Sequence, residues 1–261
     1  MSYLKHFVLL LLLVSLPFII PGKALAYNED GRVHFEALFE YLGRDIREKS
    51  TQFAGLNFPD TTASVQSLRL LGKLSIRIVD PLEIYGLLGG ANLDSDDLKF
   101  HSDFSGAYGG GARLVLFRER RARTPFQIFA DYRFLQYKVH DTVLFNPQIV
   151  DANGNVVSLI PPDGENVNEK IRWQEHVVKF GFMARDYEFE PYGGVRFSFV
   201  KGKDHLPNSV QDLTLKVRQD EVFGVFLGTS YYLTDSDKAA LFIEGSLFDQ
   251  YSLTGGIRVG F

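Results

Sequence analysis

The final eleven residues, YSLTGGIRVGF at 251–261, alternate without interruption between two kinds of side chain. Tyr251, Leu253, Gly255, Ile257, Val259 and Phe261 fall on one face of an extended strand, and Ser252, Thr254, Gly256, Arg258 and Gly260 fall on the other. Such a strand needs one apolar and one polar environment along its whole length. The same period of two returns along the chain, so the pattern describes an architecture as well as a single element.

Ten extended segments are read from this period: 33–43, 67–79, 82–93, 104–117, 126–139, 171–184, 189–200, 221–233 (with a start as early as Leu213), 239–248 and 251–261. The clearest are the first and second. Val33, Phe35, Ala37, Phe39 and Tyr41 oppose His34, Glu36 and Glu40, and Leu68, Leu70, Leu74, Ile76 and Ile78 oppose Arg69, Lys73, Ser75 and Arg77. The connections alternate in length. Links at 44–66, 94–103, 140–170 and 201–212 are long, whereas turns centred on Pro81, Arg120, Asp186 and Asp235 are short. The link at Asp249 and Gln250 breaks this rhythm, being short where a long one is due. Within 140–170 the Ala152-Asn153-Gly154-Asn155 step predicts a small hairpin flanked by 148–150 and 156–159.

The N-terminus adds a compartment. Lys5 and His6 precede an apolar run from Phe7 to Leu16, and Ala24-Leu25-Ala26 gives the small-x-small pattern of a secretory cleavage site ahead of Tyr27. The apolar stretch from Phe7 to Ile20 is interrupted by Pro17 and is shorter than the roughly 20 residues of a spanning helix. Residues 1–26 are therefore expected to be a cleaved signal for Sec export, leaving 27–261 as one domain. Removing them costs Lys5 and Lys23, so the mature chain is more acidic than the −4 of the full sequence. That balance argues against a nucleic-acid partner. The chain has no cysteine, which excludes disulfides, thiolate metal sites and cysteine nucleophiles.

No mature segment is long and apolar enough for a membrane helix, so a membrane role requires strands closed into a barrel. The expected fold is all-β, a closed antiparallel up-and-down transmembrane β-barrel of ten strands, with eight or twelve as the alternatives. Its interior would receive Glu36, Glu40, Arg69, Lys73, Arg77, Glu83, Arg113, Asp131, Arg133, Lys179, Arg196, Glu244 and Arg258. Charges of both signs in a small volume must pair, which predicts a plugged or narrow lumen. Tyr41, Tyr137, Trp173, Tyr231, Tyr232, Tyr251 and Phe261, near strand ends, are expected in two interfacial girdles.

Acids and histidines gather on the long-loop side: Asp94, Asp96, Asp97, His101 and Asp103; His140 with Asp141; Glu175 with His176; Asp204 with His205. A carboxylate beside an imidazole can orient a general base, and His176 is the candidate. No serine partner is evident near it, and the Asp94–Asp97 run lacks the glycine and terminal glutamate of a calcium loop. Solvated loop charges account for these groups, so no catalytic, cofactor or metal residue is assigned. Arg118, Arg120, Arg121 and Arg123 are read as a solvated turn.

On these residues the chain resembles the small bacterial outer-membrane β-barrels of the OmpA/OmpX-like and porin-like group. The resemblance covers 27–261 in pattern and is specific in motif at the C-terminal strand. It implies that this strand, with Tyr251, Leu253, Ile257, Val259 and above all Phe261, is read by the barrel-assembly machinery. It also implies contact with outer-membrane lipid and lipopolysaccharide, and periplasmic termini. The omptin proteases share the ten-stranded architecture, but their paired rim acids and histidines have no match at strand ends here apart from the loop sequence Asp94-Ser95-Asp96, so no catalytic residue is carried over. The expected function is non-enzymatic, in surface interaction or envelope integrity through extracellular loops. The alternatives are an enzyme acting on lipopolysaccharide or surface peptides, and a narrow solute channel.

Overall fold

The computed structural model describes residues 33–49, 52–53, 56–57, 61–119, 125–145, 148–150, 156–158, 165–185, 188–206, 213–233 and 238–261. The expected signal segment and its cleavage point lie outside these residues. In chain order the strands are β1 (Val33–Lys49), β2 (Gln52–Phe53), β3 (Leu56–Asn57), β4 (Thr61–Val79), β5 (Leu82–Ala91) and β6 (Asp94–Ser95). Then come β7 (Phe100–His101), β8 (Ser105–Glu119), β9 (Phe126–Phe145), β10 (Gln148–Val150), β11 (Val156–Ser158) and β12 (Glu165–Ala184). The last are β13 (Phe189–Leu206), β14 (Leu213–Gln219), β15 (Phe223–Tyr232), β16 (Ala239–Leu247) and β17 (Tyr251–Gly260). Among the described residues no helix is long and apolar enough to cross a membrane.

Ten of these strands pair antiparallel with their sequence neighbours in the order β1, β4, β5, β8, β9, β12, β13, β15, β16, β17. The ring closes because β17 returns to β1, in register from His34↔Gly260 to Gly43↔Tyr251. Closure leaves the ladder without a free edge. At that seam the Tyr251 ring lies over Gly43, where a Cβ would come within 1.9 Å of a ring carbon. Glycine at 43 therefore lets the last strand cover the first.

Alternation along the strands follows the sequence pattern in the lower part of the ring. Leu74, Ile76, Ile84, Leu88, Leu114, Phe180, Leu227, Ile243 and Leu253 are exposed on the outer face, forming a continuous apolar belt. Phe117, Phe126 and Phe182 contact one another near the short-turn end, with ring centroids 5.7 and 5.5 Å apart. Phe189 and Tyr231 add to the same edge at 5.0 Å.

The strands do not stop where that belt stops. β1, β4, β9, β12 and β13 each run six residues further than the apolar-out pattern indicates, and there the polarity of the faces inverts. On β4, Thr62, Ser64 and Gln66 point out and are exposed, while Ala63 and Val65 point in and are buried. Positions 140–145 and 165–170 are consequently strand, not loop. The hairpin expected beyond them is present as β10 paired with β11. The expected eighth strand divides at 220–222. Its first part, β14, leaves the main ring and pairs with the upper ends of both β13 and β1.

This division accounts for the short β16–β17 link. β15, β16 and β17 end low, and β14 bridges β13 to β1 above them, so one strand replaces three in the upper wall. Barrel diameter follows strand number, and the ring narrows accordingly.

Candidate functional site

The interior is built in three layers, read upward along β9 from Phe129 through Asp131 and Arg133 to Leu135, Tyr137 and Val139. At the base Phe129, Met183 and Phe226 form a small buried cluster with Tyr192 packed against it. The middle layer is ionic. Glu175 lies 3.1 Å from Arg44, 2.7 Å from Arg69 and 3.3 Å from Arg133, and Glu40 lies 3.1 Å from Arg69 and 3.2 Å from Arg133. Glu40 is on β1 and Arg133 on β9, strands that do not pair, so this contact crosses the lumen. Arg69 also donates to the Tyr137 hydroxyl at 3.4 Å.

Smaller pairs complete the layer. Glu36 takes Lys73 at 3.4 Å and Arg258 at 2.8 Å, and Asp131 takes Arg113 at 2.9 Å and the Tyr85 hydroxyl at 2.8 Å. Lys179 pairs with Glu244. Arg77 stands opposite Glu83 in the β4–β5 register. Arg196 meets Asp249 at 2.9 Å, and Arg44 donates to Gln250. The β16–β17 turn therefore folds its polar side chains inward beneath β14, with Phe248 at a φ of 81°. Asp249 and Gln250 joined the lumen without a sequence signal beyond the shortness of their link.

Above lies an apolar layer of Ile46, Val65, Leu93, Phe100, Leu135, Tyr137, Val139, Ile171, Trp173 and Val217, all essentially inaccessible. Trp173 and Tyr137 stack here with centroids 6.2 Å apart. Both were expected in an outer girdle, and Tyr232, half-buried and donating to Glu190 at 3.0 Å, also lies off it. For Trp173 and Tyr137 the reason is the inversion of faces, since near the upper strand ends an aromatic belongs inside, whereas Tyr232, at the short-turn end, points inward because its neighbour Tyr231 points out. Tyr41, Tyr251, Leu253 and Phe261 are exposed, and Ile257 and Val259 share their face at intermediate exposure.

Of the acid and histidine groups on the long-loop side, the first two meet, His101 standing opposite Asp94 with Asp96 and Asp141 beside it, and the others stay apart. Successive residues of a strand point to opposite faces, and this separates the sequence-adjacent pairs. Glu175 is buried among the lumenal arginines, while His176 is outside, 2.8 Å from the Tyr132 hydroxyl and 5.0 Å from the Phe134 ring centroid. Asp204 is buried and His205 half-buried, and His140 is exposed. Asp141 accepts from the His101 backbone N–H at 2.7 Å, and Asp97 from that of Ser64 at 2.8 Å. Burial raises the carboxyl of Asp94 above the usual range, and Asn92 donates to it at 2.7 Å. His101 lies 3.8 Å from Asp96, and both are well exposed. Among the described residues no cluster of three metal-ligating side chains forms.

Comparison with solved structures places this architecture. The chain superposes on the outer membrane protease OmpT of Escherichia coli with a TM-score of 0.56 at 13% identity, covering 92% of this chain and 99% of that one. Its fold is that of the outer-membrane β-barrels. The translocator domain of the autotransporter NalP from Neisseria meningitidis is matched with a TM-score of 0.43 at 9% identity, over 91% of each chain. An outer membrane channel from Pseudomonas putida F1 gives 0.37 at 10% identity, over 93% of this chain and all of that one. No protein-family model matches the sequence, and no curated protein does.

Proposed function

We propose that this barrel resides in the bacterial outer membrane as a closed, non-conducting surface protein, with its termini in the periplasm and its long connections outside. Its role in this reading is contact at the cell surface or support of the envelope. The observation that carries it is the lumen. The Arg44–Glu175–Arg69–Glu40–Arg133 network spans the interior, and the apolar layer around Trp173 lies directly above. An ion crossing this path would have to part paired charges and then enter a layer of buried apolar side chains. The split of each sequence-adjacent acid–histidine pair between two faces counts against a rim enzyme.

In the same reading β17 is the assembly address. Its exposed Tyr251, Leu253 and Phe261 and its register against β1 make it the strand that completes the ring. Conductance of the purified protein in planar lipid bilayers tests the proposal. A flat trace at either polarity is expected; unitary current steps in salt solution would contradict it and favour the narrow-channel alternative.

A further inference from the structure

The ion pairs of the lumen contain more cations than carboxylates. Arg44, Arg69 and Arg133 share Glu40 and Glu175, and Lys73 and Arg258 share Glu36. Arg113, Lys179 and Arg196 have one carboxylate each. Glu190, lower on β13, accepts from the Tyr232 hydroxyl, and Glu83 stands between Arg77 and Arg113 in register, one acid for two cations.

Two of these cations use only part of their donor set. Arg113 donates to Asp131 through Nε at 2.9 Å, and Arg258 donates to Glu36 through Nε at 2.8 Å. Neither guanidinium makes another hydrogen bond among the described residues. Each therefore keeps its two Nη groups, part of the planar fork that grips an oxyanion bidentately. Aromatic rings fix both from the side, Arg113 lying 4.8 Å from the Phe129 centroid and Arg258 5.9 Å from that of Phe242. Arg113 is on β8 and Arg258 on β17, strands that do not pair, yet the two are within electrostatic reach of each other across the lumen. Tyr192, packed on Phe226, is within reach of both, and its hydroxyl has no hydrogen-bond partner among the described residues.

The exposure of these groups shows where they are reached from. It is 0% at the side chains of Arg69 and Glu175, 17% at Arg133 above Asp131, and 22% and 25% at Arg258 and Arg113 lower down. The lumen thus opens toward the short turns, and the apolar layer closes it above. The base cluster of Phe129, Met183 and Phe226 occupies the β9–β15 side. On the opposite side His34 and Arg77, near the strand ends, are half-buried. Asp131 and Glu36 are 9% and 7% exposed, so each acid sits behind its arginine and the open face is cationic.

We propose that Arg113, Arg258 and Tyr192 form a binding site for a phosphate-type oxyanion, entered from the short-turn end of the barrel and blind above. Forks on opposite walls take different oxygens of one anion, and the phenol donates to a further one. A planar carboxylate has too few oxygens for this set, whereas a tetrahedral oxyanion has enough. The anion offsets the surplus of positive charge, while Asp131 and Glu36 hold the arginines in place. The site lies below the seal and adds no path through it.

The test is calorimetric titration of the full mature chain, folded in detergent micelles, with inorganic phosphate, and with acetate at matched ionic strength as a separate arm. Wild type should bind phosphate saturably and acetate far more weakly. Loss of one fork in R113Q or R258Q should weaken phosphate binding at least about tenfold, and loss of the neutral donor in Y192F about fivefold. R172Q, which removes an exposed outward cation of β12, should bind as wild type. Phosphate should also raise the temperature of the heat-modifiable gel shift in wild type by linkage, and leave that of R258Q in place. The same gel shift confirms that each variant is folded, and Y192F, which changes no charge, reads the site even where an arginine variant does not fold. Absence of saturable binding by wild type, or wild-type affinity in R258Q or Y192F, would overturn the site. Equal affinity for acetate would overturn the phosphate assignment, and loss of binding in R172Q would put the anion on the outer wall and overturn the lumenal site.

Discussion

Glu175 has three guanidinium neighbours and no exposure to water, so its charge sets how many buried cations the lumen can hold. Glu175→Ala leaves Arg44 without its carboxylate and thins the support of Arg69 and Arg133. Breaking a buried pair from one side costs about 3 to 5 kcal/mol, and the predicted result is a guanidinium chloride midpoint lowered by that energy divided by the denaturant slope. Glu175→Gln, which keeps shape and hydrogen bonding, should lose less. At this scale the sequence was informative about which residues are charged and alternate, and poor about partners. Glu40 and Arg133 lie 93 positions apart on strands that never pair, and no periodicity links them. The acid–histidine neighbours erred in the opposite way: Glu175 and His176 look adjacent in the chain, yet the two-residue period that defines the strand separates them.

At the scale of elements, the upper third of the wall shows why strand ends were read short. The reading follows apolar residues on one parity, and at Ser67–Leu68 of β4 or Gln136–Tyr137 of β9 the apolar residues change parity without the strand ending. Thr62, Ser64 and Gln66 then resemble loop, although Ala63 and Val65 between them are buried core. A start at Leu213 covers β14, but its separation from β15 has no signal in the sequence, for a related reason. β14 serves a different ring height from β15, and only the three-dimensional shortness of β16 and β17 creates its place. Its inward Val217 packs in the apolar layer with Trp173, the single tryptophan of the chain. The buried indole predicts a blue-shifted emission that acrylamide quenches poorly. Val217→Asp puts an unpaired carboxylate into that layer, and should make Trp173 quenchable while the ten-strand belt keeps its heat-modifiable migration. Unchanged quenching in the variant would mean that β14 does not seal the upper end.

For the whole molecule, two solvents act on one continuous wall. Where the outside is apolar the inside is ionic, and where the outside is polar the inside is an apolar core. A membrane at the belt and water above it explain both halves with one set of strands. A chain without cysteine lets single cysteines report on this directly, by labelling with a membrane-impermeant maleimide along β4 in reconstituted vesicles. Rapid labelling is expected at positions 62, 64 and 66, protection by lipid at 74 and 76, and protection by the closed interior at 65 and 71. Labelling at 74 and 76 as fast as at 64 would contradict the membrane belt, and labelling at 65 and 71 as fast as at 64 would contradict the sealed lumen.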